Sequence, residues 1–238
     1  MKKIFIAALV CLATASALSA QTIGELRFGV FGGFTSTNAK GNPIDDYKGF
    51  DASNVALYHA GVTAQIPIAL GISLQPTLSW SMKGASLDNY NTVSDVKNIV
   101  STLNAKVGYL ELGAQVQYGL DLLLLKPYLF AEPFVGYAMS VDATVSEFNN
   151  VSNQQEVKQK VNEFANSALP RLEYGLGIGA GIEFWQMQLS FKYFWNFGNL
   201  YDGNNYVSGE QVSTQVKSAF ENGKSFNGFS VTLSVFLF

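Results

Sequence analysis

The sequence predicts an all-β fold, an eight-stranded antiparallel transmembrane β-barrel of the up-and-down kind. Three observations lead there. Eight segments alternate apolar and polar residues in steps of two, each over about 11–15 residues. The links between them alternate between short and long. Charged residues make up 14% of the 238 positions, against 48% hydrophobic and 13% aromatic, whereas a soluble domain carries roughly a quarter charged residues. A strand that crosses a membrane needs about 9–11 residues, while strands of soluble proteins average about five or six.

The first twenty residues stand apart. Lys2 and Lys3 precede an apolar run from Ile4 to about Ala15, and ASALSA follows before Gln21. This is the pattern of a secretory signal peptide, residues 1–20, too short to span a membrane. Cleavage is expected after Ser19 or Ala20, leaving 21–238 as the barrel domain. The one cysteine, Cys11, lies in the apolar run, so the mature chain offers no disulfide, no Cys metal site and no thiol nucleophile.

The strands follow in order. ELRFGVFGGFT (25–35) sets Leu26, Phe28, Val30 and Phe34 against Glu25 and Arg27. ALYHAGVTAQI (56–66) opposes Tyr58, Val62 and Ile66 to His59, Thr63 and Gln65. GISLQPTLSWSMKG (71–84) alternates strictly, with Ile72, Leu74, Pro76, Leu78, Trp80 and Met82 on one side and Ser73 to Lys83 on the other. GYLELGAQVQY (108–118) gives Leu110, Leu112, Val116 and Tyr118 against Glu111, Gln115 and Gln117. LKPYLFAEPFVGYAM (125–139) is less regular, with Leu129, Val135 and Tyr137 opposing Lys126 and Glu132. In PRLEYGLGIGAGIEF (170–184) an apolar row alternates with Arg171, Glu173, four glycines and Glu183. MQLSFKYFWNF (187–197) and FNGFSVTLSVFLF (226–238) complete the set.

Short links fall around Pro67, residues 119–124 and Trp185–Gln186, and long ones over 36–55, 84–105, 141–168 and 198–225. That is the layout of an outer-membrane barrel, and an even strand count puts both termini on the periplasmic, short-turn side. Lipid accepts the oily face, because in hydrocarbon the backbone of a sheet is satisfied only by closure. A soluble lipocalin-like barrel would reverse the alternation. Phe34, Tyr58, Trp80, Tyr137, Tyr174, Tyr193 and Trp195 fall near the long-loop ends, and Tyr118, Phe184 and Trp185 near the short turns, as two interfacial girdles. Outer-membrane lipids, lipopolysaccharide included, are the expected surroundings.

On this alternation the lumen receives Glu25, Arg27, Lys83, Glu111, Lys126, Glu132, Arg171, Glu173, Glu183 and Lys192. Such an interior holds side chains and no wide channel, so its charges must pair or cost several kcal/mol each. A structural plug of salt bridges is the expected reading, with an ion or proton path as the alternative. Gly175, Gly177, Gly179 and Gly181 point inward to make room for large neighbours; no helix follows to make a dinucleotide fingerprint. His59, the single histidine, is weighed as part of a His–Ser–Glu arrangement and read instead as a hydrogen-bonding group. No catalytic, cofactor or zinc-binding set is assigned. The net charge of −3 and the lack of a basic cluster exclude nucleic acid as a partner.

Three long loops show helical spacing. TVSDVKNIVSTLNAK (92–106), SNQQEVKQKVNEFANSAL (152–169) and GEQVSTQVKSAFENG (209–223) each predict a short amphipathic helix. These would cap the mouth or receive a surface protein or polysaccharide.

The stretches YLELGAQVQYGL (109–120), KPYLFAEPFVGYAMS (126–140), EYGLGIGAGIEF (173–184) and SFKYFWNFGNLYDG (190–203), with the terminal Phe238, carry a family likeness. The chain resembles the outer-membrane barrels of Bacteroidota often called PorT-like, of the size of the eight-stranded OmpA and OmpX barrels. The resemblance implies a C-terminal signal read by the barrel-assembly machinery. Phe236 and Phe238 match it, whereas Ser230, Thr232 and Ser234 do not. Either a bulge near Phe236 or inward-turned final residues would reconcile that signal with the lipid-facing parity. The expected function is a non-enzymatic barrel with a filled lumen, serving surface interaction, adhesion or envelope integrity. The resemblance also admits an accessory role in protein secretion or a narrow porin.

Overall fold

The computed structural model describes residues 25–38, 50–93, 96–149, 154–161, 170–198 and 226–237. The segment 1–20, the helix expected over 209–223 and Phe238 lie outside these residues. Among the described residues there are ten strands: β1 Arg27–Asn38, β2 Phe50–Ser53, β3 Val55–Ala69, β4 Ile72–Val93, β5 Val96–Gly119, β6 Lys126–Asn149, β7 Gln154–Val161, β8 Leu172–Phe184, β9 Met187–Asn196 and β10 Asn227–Phe236. Eight of them, all but β2 and β7, form a closed antiparallel ring in chain order, and β10 returns to pair with β1. Closure removes the sheet edge that hydrocarbon would not tolerate.

The two faces of the ring differ as the alternation requires. On β4, Ser73, Gln75, Thr77, Ser79, Ser81 and Lys83 are buried inside, while Ile72 and Leu78 are exposed outside. On β5, Glu111 and Gln117 are buried and Leu110, Leu112, Val116 and Tyr118 exposed. The apolar outer band ends at the long-loop end, where the outward residues change from Leu112 and Leu110 to Lys106 and Asn104.

Beyond that band the sheet continues. β4, β5 and β6 are 22, 24 and 24 residues long, and β2 and β7 flank them, pairing with β4 and β6. The order of this outer sheet is β2-β4-β5-β6-β7. It overturns two expectations. Loops two and three, read as helices over 92–106 and 152–169, contain strand instead: β5 starts at Val96 and β7 spans Gln154–Val161. The reason is a β-bulge in each. Asn89 pairs with Ser101 but Tyr90 with Ile99, which makes Val100 an extra residue. Val145 pairs with Gln159 but Ser146 with Val157, which does the same for Lys158. A bulge breaks the two-residue period, and the resulting spacings of three and four imitate a helix.

The last strand settles its own register. β1 and β10 pair without interruption from Gly29↔Phe236 to Asn38↔Asn227, so no bulge intervenes. Phe236 turns inward and is buried.

Candidate functional site

The lumen is built in layers. At the short-turn end the Arg27 guanidinium donates to Gln65 and Glu183 and covers the Phe236 ring, 4.6 Å from its centroid. Gln188 Nε2 donates to Glu183 Oε2 at 2.9 Å, and Gln65 Nε2 to Gln117 Oε1 at 3.2 Å. Gln117 Nε2 donates in turn to Gln75 and Gln115, and Gln115 Nε2 reaches Glu132 at 2.9 Å. Lys192 Nζ meets the other Glu132 oxygen at 2.8 Å. A hydrogen-bonded path thus joins the Arg27–Glu183 and Lys192–Glu132 pairs through glutamine amides.

Above it lies a second cluster. Lys83 Nζ is 2.5 Å from Glu111 Oε2 and 2.8 Å from Glu173 Oε1, and Asn196 Nδ2 donates to Glu173 Oε2 at 2.6 Å. The rings of Phe134, Phe194 and Tyr109 surround the ammonium at 4.4, 4.9 and 5.6 Å. Glu132 of the lower layer and Glu173 of this one owe their space to glycine. A Cβ on Gly113 would stand 2.8 Å from Glu132 Oε1, and one on Gly136 2.6 Å from Glu173 Oε1. Higher still, inward-facing Leu57, Ala85, Ala105, Val107, Ala138 and Val141 are buried and close the mouth with apolar side chains.

His59 sits beside these layers with both ring nitrogens engaged. Nδ1 is 2.8 Å from Thr35 Oγ1 and Nε2 is 2.8 Å from Thr232 Oγ1. Both contacts are to threonine hydroxyls, which is the hydrogen-bonding environment of a packed imidazole. The cavity among these lumen side chains is about 40 Å³, room for roughly three water molecules.

Of the ten charges expected in the lumen, seven meet there: Arg27, Lys83, Glu111, Glu132, Glu173, Glu183 and Lys192. Three do not. Glu25 and Arg171 are exposed at strand ends, just before β1 and β8. Lys126 stands at the short-turn rim, 3.6 Å from Asp121. The residues expected as girdles all face outward. Phe34, Tyr58, Tyr118, Tyr137, Tyr174, Phe184, Trp185 and Tyr193 are exposed, and Trp80 and Trp195 half-buried. Tyr193 and Trp195 pack edge to face at 4.9 Å.

Large side chains fill the room over the β8 glycines as expected, but the rings that supply them were not named from the sequence. Tyr128, Phe130 and Phe134 of β6 point inward over the glycine row of β8. A Cβ on Gly175 or Gly179 would lie 2.4 Å from the ring tip of Phe134 or Phe130, and one on Gly181 2.5 Å from Tyr128. The four glycines were the available signal: a strand face without side chains needs large ones opposite.

A closed ring of eight antiparallel strands, apolar outside and filled within, is now in view. The chain belongs to the outer membrane protein beta-barrel domain family. The family model matches residues 16–202. Among curated proteins, none matches the chain in sequence. Among solved structures, Neisserial surface protein A is similar at 14% identity, with 90% of this chain and 100% of the other covered and a TM-score of 0.37. Ail, the attachment invasion locus protein of Yersinia pestis, solved with the heparin analogue sucrose octasulfate, is similar at 10% identity, 90% and 99% coverage and a TM-score of 0.39. Ail alone gives 9%, the same coverage and 0.37. As a beta-barrel domain of the outer membrane, the chain has lipid as the solvent of its apolar outer face.

Proposed function

We propose that this barrel works from its surface: an integral outer-membrane protein with a closed lumen, whose outer sheet engages a surface protein or polysaccharide or ties the envelope together. On this reading the short turns and both termini are periplasmic, and the long strands project outward. The observation that carries it is the unequal investment in the two parts. The lumen is packed with salt bridges, glutamines and rings, which leaves nothing to conduct. β4 and β5 run on for about 11 residues past Met82 and Gly108, roughly 35 Å along the strand. Their outward face there is polar, with Asn104 opposite Thr144 and Lys106 opposite Asp142.

Two alternatives, an accessory secretion role and a narrow porin, are separated by experiment. A variant in which residues 87–103 are replaced by a two-residue turn keeps the barrel and removes the outer hairpin. Cells carrying it are expected to lose surface binding to the same extent as a deletion strain, with secretion of exported proteins unchanged. A secretion defect in either strain would favour the accessory role. Steady single-channel conductance by the purified protein would refute the closed lumen.

A further inference from the structure

The three short turns share a device that ring closure does not require. Ala69 pairs with Ile72, Leu122 with Leu125 and Phe184 with Met187, so each hairpin turns on two residues: Leu70–Gly71, Leu123–Leu124 and Trp185–Gln186. The first residue of each turn is left-handed, with φ of 52° at Leu70, 53° at Leu123 and 55° at Trp185. Among the described residues no other non-glycine has positive φ. Tight hairpins need that conformation, and they normally meet the need with Asn, Asp or Gly. For a residue with a bulky Cβ substituent it is a strained conformation.

Nothing in the barrel repays that cost. The three side chains point away from the protein, Leu70 92%, Leu123 106% and Trp185 76% exposed. In water each position would carry backbone strain and an unburied apolar side chain together. In hydrocarbon the balance reverses, because removing such a side chain from water is favourable enough to offset the strain. The neighbouring surface agrees. Leu70 continues the outward stripe of Ile68 and Ile72, Leu120 to Leu125 continue that of Tyr118 and Leu129, and Trp185 lies between Phe184 and Met187, all exposed. The apolar wall therefore runs on over the turn tips. The charges beside the Leu123–Leu124 turn, Asp121 and Lys126, lie 3.6 Å apart and offset one another.

We propose that Leu70, Leu123 and Trp185 are lipid-seated anchors, so that the short-turn end of the barrel lies within the acyl and interfacial region of its phospholipid leaflet. This rests on the membrane-spanning reading above and deepens it by fixing how far the barrel sinks.

The chain has three tryptophans, which allows each to be read alone. A Trp80→Phe, Trp195→Phe variant leaves Trp185 as sole reporter, and a Trp185→Phe, Trp195→Phe variant leaves Trp80. Both are folded into phosphatidylcholine vesicles whose acyl chains carry bromine. Loss of most of the Trp185 emission to bromolipid, as for Trp80, is the expected result. Quenching of Trp80 with Trp185 open to aqueous iodide would overturn the anchor proposal and leave the spanning barrel intact, pointing to a protein occupant for the tips. Failure of bromolipid to quench either would overturn both. Leu70→Asn and Leu123→Asn give an independent sign test, since Asn suits the turn better. In vesicles the urea midpoint of unfolding is expected to fall; a rise would mean that the tips stand in water.

Discussion

Lys83 is held by two carboxylates and framed by three rings, and it is the residue at which this interior is most easily broken. Removing one partner of a buried ion pair strands the other charge, at a cost of about 3–5 kcal/mol. Lys83→Met is therefore expected to lose stability on that scale in denaturant unfolding from vesicles. Adding Glu111→Gln and Glu173→Gln should restore most of it; equal stability of the single variant and wild type would remove the network from the argument. Gly179→Val is a second case, because its Cβ would stand 2.3 Å from the Phe191 carbonyl and 2.4 Å from the Phe130 ring. Two neighbours on opposite sides leave no direction in which to give. The variant should fail to reach the compact, heat-modifiable form seen by gel mobility, whereas Gly32→Ala, with 3.8 Å of clearance, should reach it. At this scale the inward charges were legible because lipid and lumen are unlike solvents on alternate positions. The inward aromatics Tyr128, Phe130 and Phe134 share the parity of Lys126 and Glu132, yet they did not stand out, because apolar residues crowd the other face of PYLFAEPF (127–134) as well.

The β4–β5 hairpin is the element that most separates this structure from its sequence pattern. Its register brings Asn91 opposite Asn98, and directly opposed strand residues lie about 4.5–5.5 Å apart at Cα, within disulfide reach. Asn91→Cys with Asn98→Cys is expected to cross-link on mild oxidation without disturbing the barrel. Free thiols in the folded protein would restore the helical reading of 92–106. The eight barrel strands were legible because a long, unbroken two-residue period has few rival explanations. The outer sheet was hidden by its bulges at Val100 and Lys158. The bulge at Met139 was invisible for a similar reason. Met139 and Ser140 both face outward, and the apolar run on either side masks the change of parity.

For the whole molecule the claim is that the cylinder is solid. A cavity of about 40 Å³ beneath an apolar mouth predicts no steady current in planar bilayers. Opening a path requires removal of more than one layer, so Lys83→Ala or Lys192→Ala alone should stay silent. The side of the ring that meets lipid could be read from the sequence. Where the ring closes could not, because Phe236 fits an outward assembly pattern by spacing yet lies under Arg27 in the fold.

That seam joins the first strand of the ring to the last, from Gly29↔Phe236 to Asn38↔Asn227. These partners lie at opposite ends of the ring's own sequence, so they can zip only after every strand between them has been made. Until residue 236 emerges, both lateral borders of the nascent ribbon are bare, sticky templates for any passing strand. Such a polypeptide must be kept apart from its siblings throughout its journey, and β10 acts as the clasp that ends the danger.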